Sequence, residues 1–359
     1  MKLIRMAASF LKPYQPSFLI LFVTARCNAR CPFCFYAQRI KRSGIEEPEE
    51  LSLEEFHAIS RKCGRIPYLL ISGGEPILRE DIVDVVSCFV ENAGVEYVTI
   101  PSNGLSPGAT VDVFRKLTER YPRVHFRAAF SVDYPDERHD TSRGIDGCLD
   151  SLLKAAGGIN ELKKDRENLS LDVVTVFLPD NSALHHDLRK WVGEKIGPDN
   201  HELHLLREEW PHPIPDGIDL DEFLEEAKNY MRFGRRSETR DLSSFFRGLN
   251  DVYISILSKL VRGQRVSKCF AGRKITVINE MGDVRLCEFR PEVLGNLRTE
   301  GYDLRRILRG SRDLFRRVND QKCTCTWECA VSTNIVSSVR FYPRLLVSIL
   351  HELLKWRRR

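Results

Sequence analysis

The sequence has no run of eighteen or more apolar residues among its 359, so no segment is built to cross a bilayer as a helix. It also lacks a strong excess of one charge: 55 Lys and Arg against 50 Asp and Glu leave +5. Much of that surplus sits in Arg357, Arg358 and Arg359, so neither a nucleic-acid-binding face nor a nucleic-acid partner is expected. There is no internal repeat and no low-complexity tract. The short apolar run 18–23 follows Pro13 and Pro16 and precedes a cysteine cluster, which reads as a buried first strand and not as an export signal. What remains is 42% hydrophobic and 29% charged, an ordinary globular composition with material for one large domain and a small one.

Cysteine is the residue that stands out. There are eleven, and Cys27, Cys31 and Cys34 crowd into eight residues. Thiols that close, in a chain with no export signal, point to a reducing cytoplasm and to metal ligation, not to disulfides.

Strand-like runs at 18–24, 68–72, 97–101, 124–132, 170–178 and 202–206 alternate with amphipathic patterns at 53–63, 81–92, 110–121, 147–159 and 183–196. Strands each separated by one helix predict right-handed βαβ units and a parallel α/β sheet, with chemistry gathered at the strand ends. Pro211, Pro213 and Pro215 cannot continue a helix or a central strand, so 211–216 reads as a boundary. A helical pattern over 220–261 forms a bridge, and 274–279 and 284–288 flank Glu280-Met281-Gly282-Asp283 as a hairpin.

Cys27-Asn-Ala-Arg-Cys31-Pro-Phe-Cys34 follows the first strand with C-x3-C-x2-C spacing. Three thiolates in one loop suit three corners of a cubane and leave its fourth iron open. A structural zinc site wants four protein ligands, and this loop offers three with no histidine nearby.

With Phe33 as the aromatic before the last cysteine, this loop resembles the signature of radical S-adenosylmethionine (SAM) enzymes. The resemblance implies a partial (β/α)6 TIM-like barrel whose 4Fe–4S cluster, held by Cys27, Cys31 and Cys34, chelates SAM. It further implies reductive cleavage of SAM to methionine and a 5′-deoxyadenosyl radical that abstracts a substrate hydrogen. A low-potential donor such as flavodoxin or ferredoxin would supply the electron. Further stretches are similar to the family's SAM contacts. Gly73-Gly74-Glu75-Pro76 after the second strand looks like its GGEP motif, which meets the SAM amino group. Paired glycines let backbone approach a ligand, and a carboxylate suits an ammonium. Ser102-Asn103 resembles the turn beside SAM, Ser131 and Asp133 the element facing the ribose, and Arg143 the partner of the SAM carboxylate.

A second group of thiols follows: Cys269, then Gly282-x4-Cys287, then Cys323, Cys325 and Cys329. It resembles the auxiliary-cluster domain of the SPASM/twitch branch. Five candidates, where the full pattern has seven, imply a twitch-like unit with one auxiliary 4Fe–4S cluster. Cys269, Cys287 and Cys329 are the expected ligands, with Cys323 or Cys325 the fourth; a zinc knuckle is the competing reading. Cys63, Cys88 and Cys148 read as core residues.

The chain divides, on this reading, into an amphipathic segment (1–16), the radical SAM core (17–215), a helical bridge (216–265), the cluster unit (266–335) and a basic amphipathic helix (336–359). In the last, Leu345, Ile349, Leu350, Leu353 and Trp356 are expected on one side, and Leu3, Ile4, Ala7, Phe10 and Leu11 pattern similarly at the start. Apolar faces with basic flanks suit a membrane surface, and packing of both helices onto the protein's own core is the alternative; the expected location is cytoplasmic, peripheral at the inner face of the membrane on the first reading. A small-molecule or lipid-/sugar-linked biosynthetic substrate is preferred. A ribosomally made peptide is the first alternative; fewer than twenty residues precede the first strand, which leaves no N-terminal peptide-recognition domain. A non-enzymatic iron–sulfur or zinc protein is the second.

Overall fold

The structure, a computed structural model, describes residues 14–42, 50–207, 216–233, 240–321, 323 and 325–357. The expectations for the N-terminal amphipathic segment, and for all of the proline-rich boundary but Asp216, lie outside the described residues. The first half alternates as its sequence predicts, except that short helices at 37–42 and 138–143 add a second helix to the first and fourth connections. Strands β1 (Phe18–Phe22), β2 (Tyr68–Ser72), β3 (Tyr97–Ser102), β4 (His125–Ser131), β5 (Leu169–Phe177) and β6 (Asn200–Leu205) pair in parallel, in that spatial order. Helices α1 (Ala37–Arg42), α2 (Leu53–Lys62), α3 (Ile82–Ala93), α4 (Pro107–Arg120), α5 (Arg138–Arg143), α6 (Cys148–Lys163) and α7 (His185–Lys195) connect them. This is a partial TIM-like barrel.

Strand β1 is the pivot. Phe18 pairs with Tyr68 of β2 on one side and Ile275 on the other, so its FLILF run is sheet-bonded on both edges and almost entirely buried. That explains why it reads as a continuous apolar run and not as an alternating one. Ile275 belongs to β7 (Ile275–Ile278), which turns into β8 (Asp283–Arg285) as the hairpin pattern predicts. A third strand, β9 (Val293–Asn296), then pairs with β8. Together they extend the barrel sheet to nine strands.

The predicted bridge is two helices, α8 (Leu220–Phe233) and α9 (Arg240–Val261). The chain continues through α10 (Leu304–Gly310), α11 (Arg312–Asp320), α12 (Glu328–Ser337) and α13 (Tyr342–Arg357). Helix α2 starts on a capping box, in which Ser52 Oγ accepts the Glu55 N–H at 3.3 Å and Glu55 returns an acceptor to the Ser52 N–H at 2.9 Å. The same Glu55 receives Arg298 at 2.6 Å and the Tyr302 hydroxyl at 3.1 Å, fastening the segment after β9 to the barrel.

Helix α13 divides between its two expected placements, with one side packed on the core and the other exposed. Leu345 and Ile349 pack with Leu249, Val252 and Ile256 of α9. A Cβ on Gly248 would lie 2.7 Å from Ile349 Cγ1, so the absent side chain is what lets α13 approach this closely. The expected lipid-facing set is therefore split: Leu345 and Ile349 belong to the core, while Leu350 is exposed with Leu346, Val347 and Leu354. Among the described residues no helix is long and apolar enough to cross a membrane.

Candidate active site

The sequence motifs meet at the C-terminal ends of β1 to β4, where a parallel barrel gathers its chemistry. The loop after β1 carries Cys27, Cys31 and Cys34, all partly exposed. It is packed from two sides. From β2, a Cβ on Gly73 would stand 2.2 Å from the Thr24 carbonyl oxygen, and one on Gly74 2.1 Å from that of Arg26. Glycine is required here because backbone lies on backbone: Gly74 N donates to Thr24 O and Glu75 N to Arg26 O, each at 2.8 Å. The pair was expected to admit a ligand, and its observed contact is with the cysteine loop itself. From the far side, Arg30 N donates to Arg143 O at 2.8 Å, and the Arg143 guanidinium lies over the Phe33 ring at 5.5 Å while donating to Cys31 Sγ at 3.4 Å.

Behind the loop, Glu75 is buried, and its carboxylate accepts the N–H groups of Asn103 (2.8 Å) and Ile77 (3.3 Å). Burial pushes it up to about 7, against the pull of those hydrogen bonds. Pro76 opens the short helical turn that follows. Asn103 Nδ2 donates to Asn28 Oδ1 at 2.8 Å, and the Ser102 hydroxyl accepts from Gly104 N at 3.1 Å, so the β3 turn also grips the cysteine loop. Ser131 ends β4, partly exposed. Asp133 is fully buried; it pairs with Arg143 and accepts the Val176 N–H at 2.9 Å. Its carboxylate is thus spent on holding Arg143 against the loop.

The eleven cysteines separate by what their sulfurs do. Cys27 accepts from Ala29 N and Cys34 from Tyr36 N, both at 3.4 Å. In the second group, Cys269 accepts from Ala271 N (3.5 Å), Cys287 from Arg290 N (3.4 Å) and Cys325 from Trp327 N (3.4 Å). Buried Cys63 does the opposite and donates to Ser60 O at 3.2 Å. Hydrogen bonds aimed at sulfur stabilise thiolate and tune a bound cluster. Burial pushes Cys27 up to about 11 and Cys287 to about 12; a bound metal ion would lower both. Burial, and after it the thiols of Cys269, Cys323 and Cys287, push Cys325 up, whereas burial and Glu288 push Cys329 up against the pull of Arg207. Among the described residues no three Cys, His, Asp or Glu side chains are drawn tight enough to hold a single ion. One zinc would bring its sulfurs to roughly 3.8 Å from one another, given Zn–S near 2.3 Å. A cubane binds each thiolate to a different iron and suits a looser grouping.

The two groups are neighbours. Phe35, next to Cys34, meets Phe289 at 5.4 Å between ring centroids, and Phe289 meets Trp327 at 5.9 Å. Tyr36 and Arg39 both donate to the fully buried Glu280 in the β7–β8 turn.

Sequence reading missed the barrel lumen. Arg127 on β4 sits 2.9 Å from Asp172 on β5 and 2.8 Å from Glu202 on β6, with Tyr68 and Thr99 hydrogen-bonded to each other at 2.7 Å on β2 and β3. Burial pushes Asp172 up to about 7 against the pull of Arg127. Glu202 resists the same burial because Arg127 and His204 hold it below the usual carboxylate range. The available signal was charge at alternate positions of strands that otherwise bury both faces.

Residues 21–184 match the Radical SAM superfamily. The GTP 3′,8-cyclase of Cronobacter sakazakii is 25% identical over 162 residues, 43% of this chain and 49% of that protein. That of Moorella thermoacetica is 32% identical over 97 residues, 26% and 29%. The chain thus spans half or less of the length of these curated relatives. Among solved structures, native anSMEcpe with bound AdoMet superposes with a TM-score of 0.59 at 16% identity, covering 95% of this chain and 99% of that one. Streptococcus suis SuiB bound to precursor peptide SuiA gives 0.53 at 18% identity, covering 80% and 62%. These likenesses establish the fold. With its three-cysteine loop seated at the mouth of a six-stranded parallel barrel, this chain carries a radical SAM domain over residues 21–184.

Proposed function

We propose that this protein cleaves SAM reductively at a 4Fe–4S cluster held by Cys27, Cys31 and Cys34, and abstracts a hydrogen from a small polar substrate in the barrel lumen. The observation that carries this reading is the set of N–H groups aimed at Cys27 and Cys34, with Arg143 aimed at Cys31, in a loop with no fourth ligand. The bound cluster and SAM supply the hydrogen-abstracting radical. The chain's own residues do the positioning. Gly73, Gly74, Glu75, Pro76, Ser102, Asn103 and Ser131 would line SAM, while Asp133 orients Arg143 and closes the loop from behind.

Residues 266–335 would form a twitch-like unit holding an auxiliary 4Fe–4S cluster through Cys269, Cys287, Cys329 and, as the fourth ligand, Cys325. Cys325 is preferred to Cys323 because it packs into the same core as Cys269, Cys287 and Cys329. A flavodoxin or ferredoxin would deliver the electron in the cytoplasm, where thiols stay reduced.

The lumen supports a hydroxyl-rich small molecule, free or lipid- or sugar-linked. Arg127, Asp172, Glu202 and the Tyr68–Thr99 pair offer donors and acceptors, where an apolar substrate would leave them unpaired. A peptide substrate is the second reading, supported by the folds of SuiB bound to precursor peptide SuiA and of anSMEcpe bound to the Cp18Cys peptide. Fractionated cell extract distinguishes the two. A low-molecular-mass fraction should raise 5′-deoxyadenosine formation above the basal rate in the wild type, and Glu202→Gln should lose the increase while keeping the basal rate. Stimulation by the peptide fraction alone would reject the small-molecule reading.

A further inference from the structure

We propose that the outward face of α13 is a docking surface for an anionic lipid bilayer. The proposal is independent of the reaction and names the face on which a peripheral contact would form. Of the exposed large apolar side chains among the described residues, most lie here: Leu346 (59% exposed), Val347 (66%), Leu350 (57%) and Leu354 (55%), with Val339 (75%) in the turn just before the helix. Leu346, Leu350 and Leu354 recur every four residues, so they share one side of the helix, turned roughly 100° from Leu345 and Ile349, which pack on α9. The stripe is not a frayed end. Gly248 seats Ile349 at van der Waals distance, so α13 is held firmly with its second apolar face turned outward.

Charge selects the occupant. Exposed Arg340 and Arg344 flank the stripe. Glu352 is the only acidic residue from Val339 to the end of the sequence, and it is turned toward Arg247, 3.9 Å away. Lys355, Arg357, Arg358 and Arg359 extend the basic run in sequence. A second copy of the chain would bring these cations against their own kind. An anionic bilayer accepts both the apolar stripe, at the depth of its acyl boundary, and the cations, at its headgroups.

The test is sedimentation of the full chain with vesicles of phosphatidylcholine alone or mixed with phosphatidylglycerol. The wild type should bind the mixed vesicles, more weakly as salt rises. Leu346→Glu/Leu350→Glu should weaken binding by about tenfold or more, since both leucines would leave the acyl boundary. Arg340→Ala/Arg344→Ala should weaken it by roughly tenfold or more at low salt, each cation being worth about 1 kcal/mol. All variants should keep the wild-type melting temperature and reconstituted iron content, because these side chains lie off the core. Absence of vesicle binding by folded wild type overturns the proposal, as does binding that both variants retain. Binding that survives in Leu346→Glu/Leu350→Glu but is lost on removing residues 1–13 also overturns it, by moving the contact to the N-terminus. A wild-type dimer that the leucine variant dissolves, with no vesicle binding, assigns the face to a second copy instead. SAM cleavage is not read in any arm, so failure here leaves the proposed reaction standing.

Discussion

The two cysteine groups are built in opposite ways. Cys27, Cys31 and Cys34 lie on one loop, anchored by turns that follow β2, β3 and β4. Cys269, Cys287 and the 323–329 thiols come from three segments, before β7, after β8 and running into the first turn of α12. A local site is organised by its own loop and the strand ends around it. A dispersed site exists only once the segments have folded together, and whatever it binds adds its binding energy to that assembly. Loss of the first site should therefore cost chemistry with little stability, and loss of the second should cost stability as well.

The largest effect should come from breaking one site at a time. After anaerobic reconstitution the wild type should hold about eight irons, and Cys27→Ala/Cys31→Ala/Cys34→Ala about four, with the second set intact. Cys269→Ser/Cys287→Ser should also fall to about four, but with the greater drop in melting temperature. Equal drops for the two sets would break the contrast. Within the second group, Cys325→Ser should lose more iron than Cys323→Ser, and the reverse order in an iron assay would exchange their roles.

Next come the contacts that seat the first loop. Gly73→Ala forces a Cβ to 2.2 Å from the Thr24 carbonyl at φ 125°, which should cost on the order of 4 kcal/mol in denaturant unfolding. Arg143→Met leaves Asp133 charged, buried and unpaired, at a cost of about 3–5 kcal/mol. Arg143→Met with Asp133→Asn should recover much of that cost, and no recovery would show that the pair does not hold the loop.

The smallest expected effect is a pH dependence. Arg298 holds Glu55 down to about 2 in the folded chain, against about 4.3 unfolded. A depressed carboxyl contributes stability above its unfolded value and loses it as pH falls from about 4.3 toward 2. The pair is partly exposed, so its contribution is about 1 kcal/mol or less. Glu55→Gln should flatten the stability curve in that window alone.

Much of this was legible in the sequence because the first site is local. C-x3-C-x2-C and Gly73-Gly74-Glu75-Pro76 each occupy a single loop, and the strands ahead of them are apolar runs. What escaped depends on distance in sequence. Strand β9 is half exposed and short, so it carries no apolar alternation. The Arg127–Asp172–Glu202 set draws on three strands, and each residue alone reads as an ordinary charge. The division of α13 into a buried and an exposed apolar face could not be read from periodicity, because Leu345, Leu346, Ile349 and Leu350 fit a helix either way. Gly248, nearly a hundred residues earlier, decides which of them are covered.

The central claim is that the first cysteine loop cleaves SAM. Its most direct test is 5′-deoxyadenosine formation by the reconstituted protein with SAM and dithionite, without substrate. The wild type should produce 5′-deoxyadenosine and methionine slowly, and Cys27→Ala/Cys31→Ala/Cys34→Ala none. A wild type carrying its full iron complement that forms no 5′-deoxyadenosine would contradict the account.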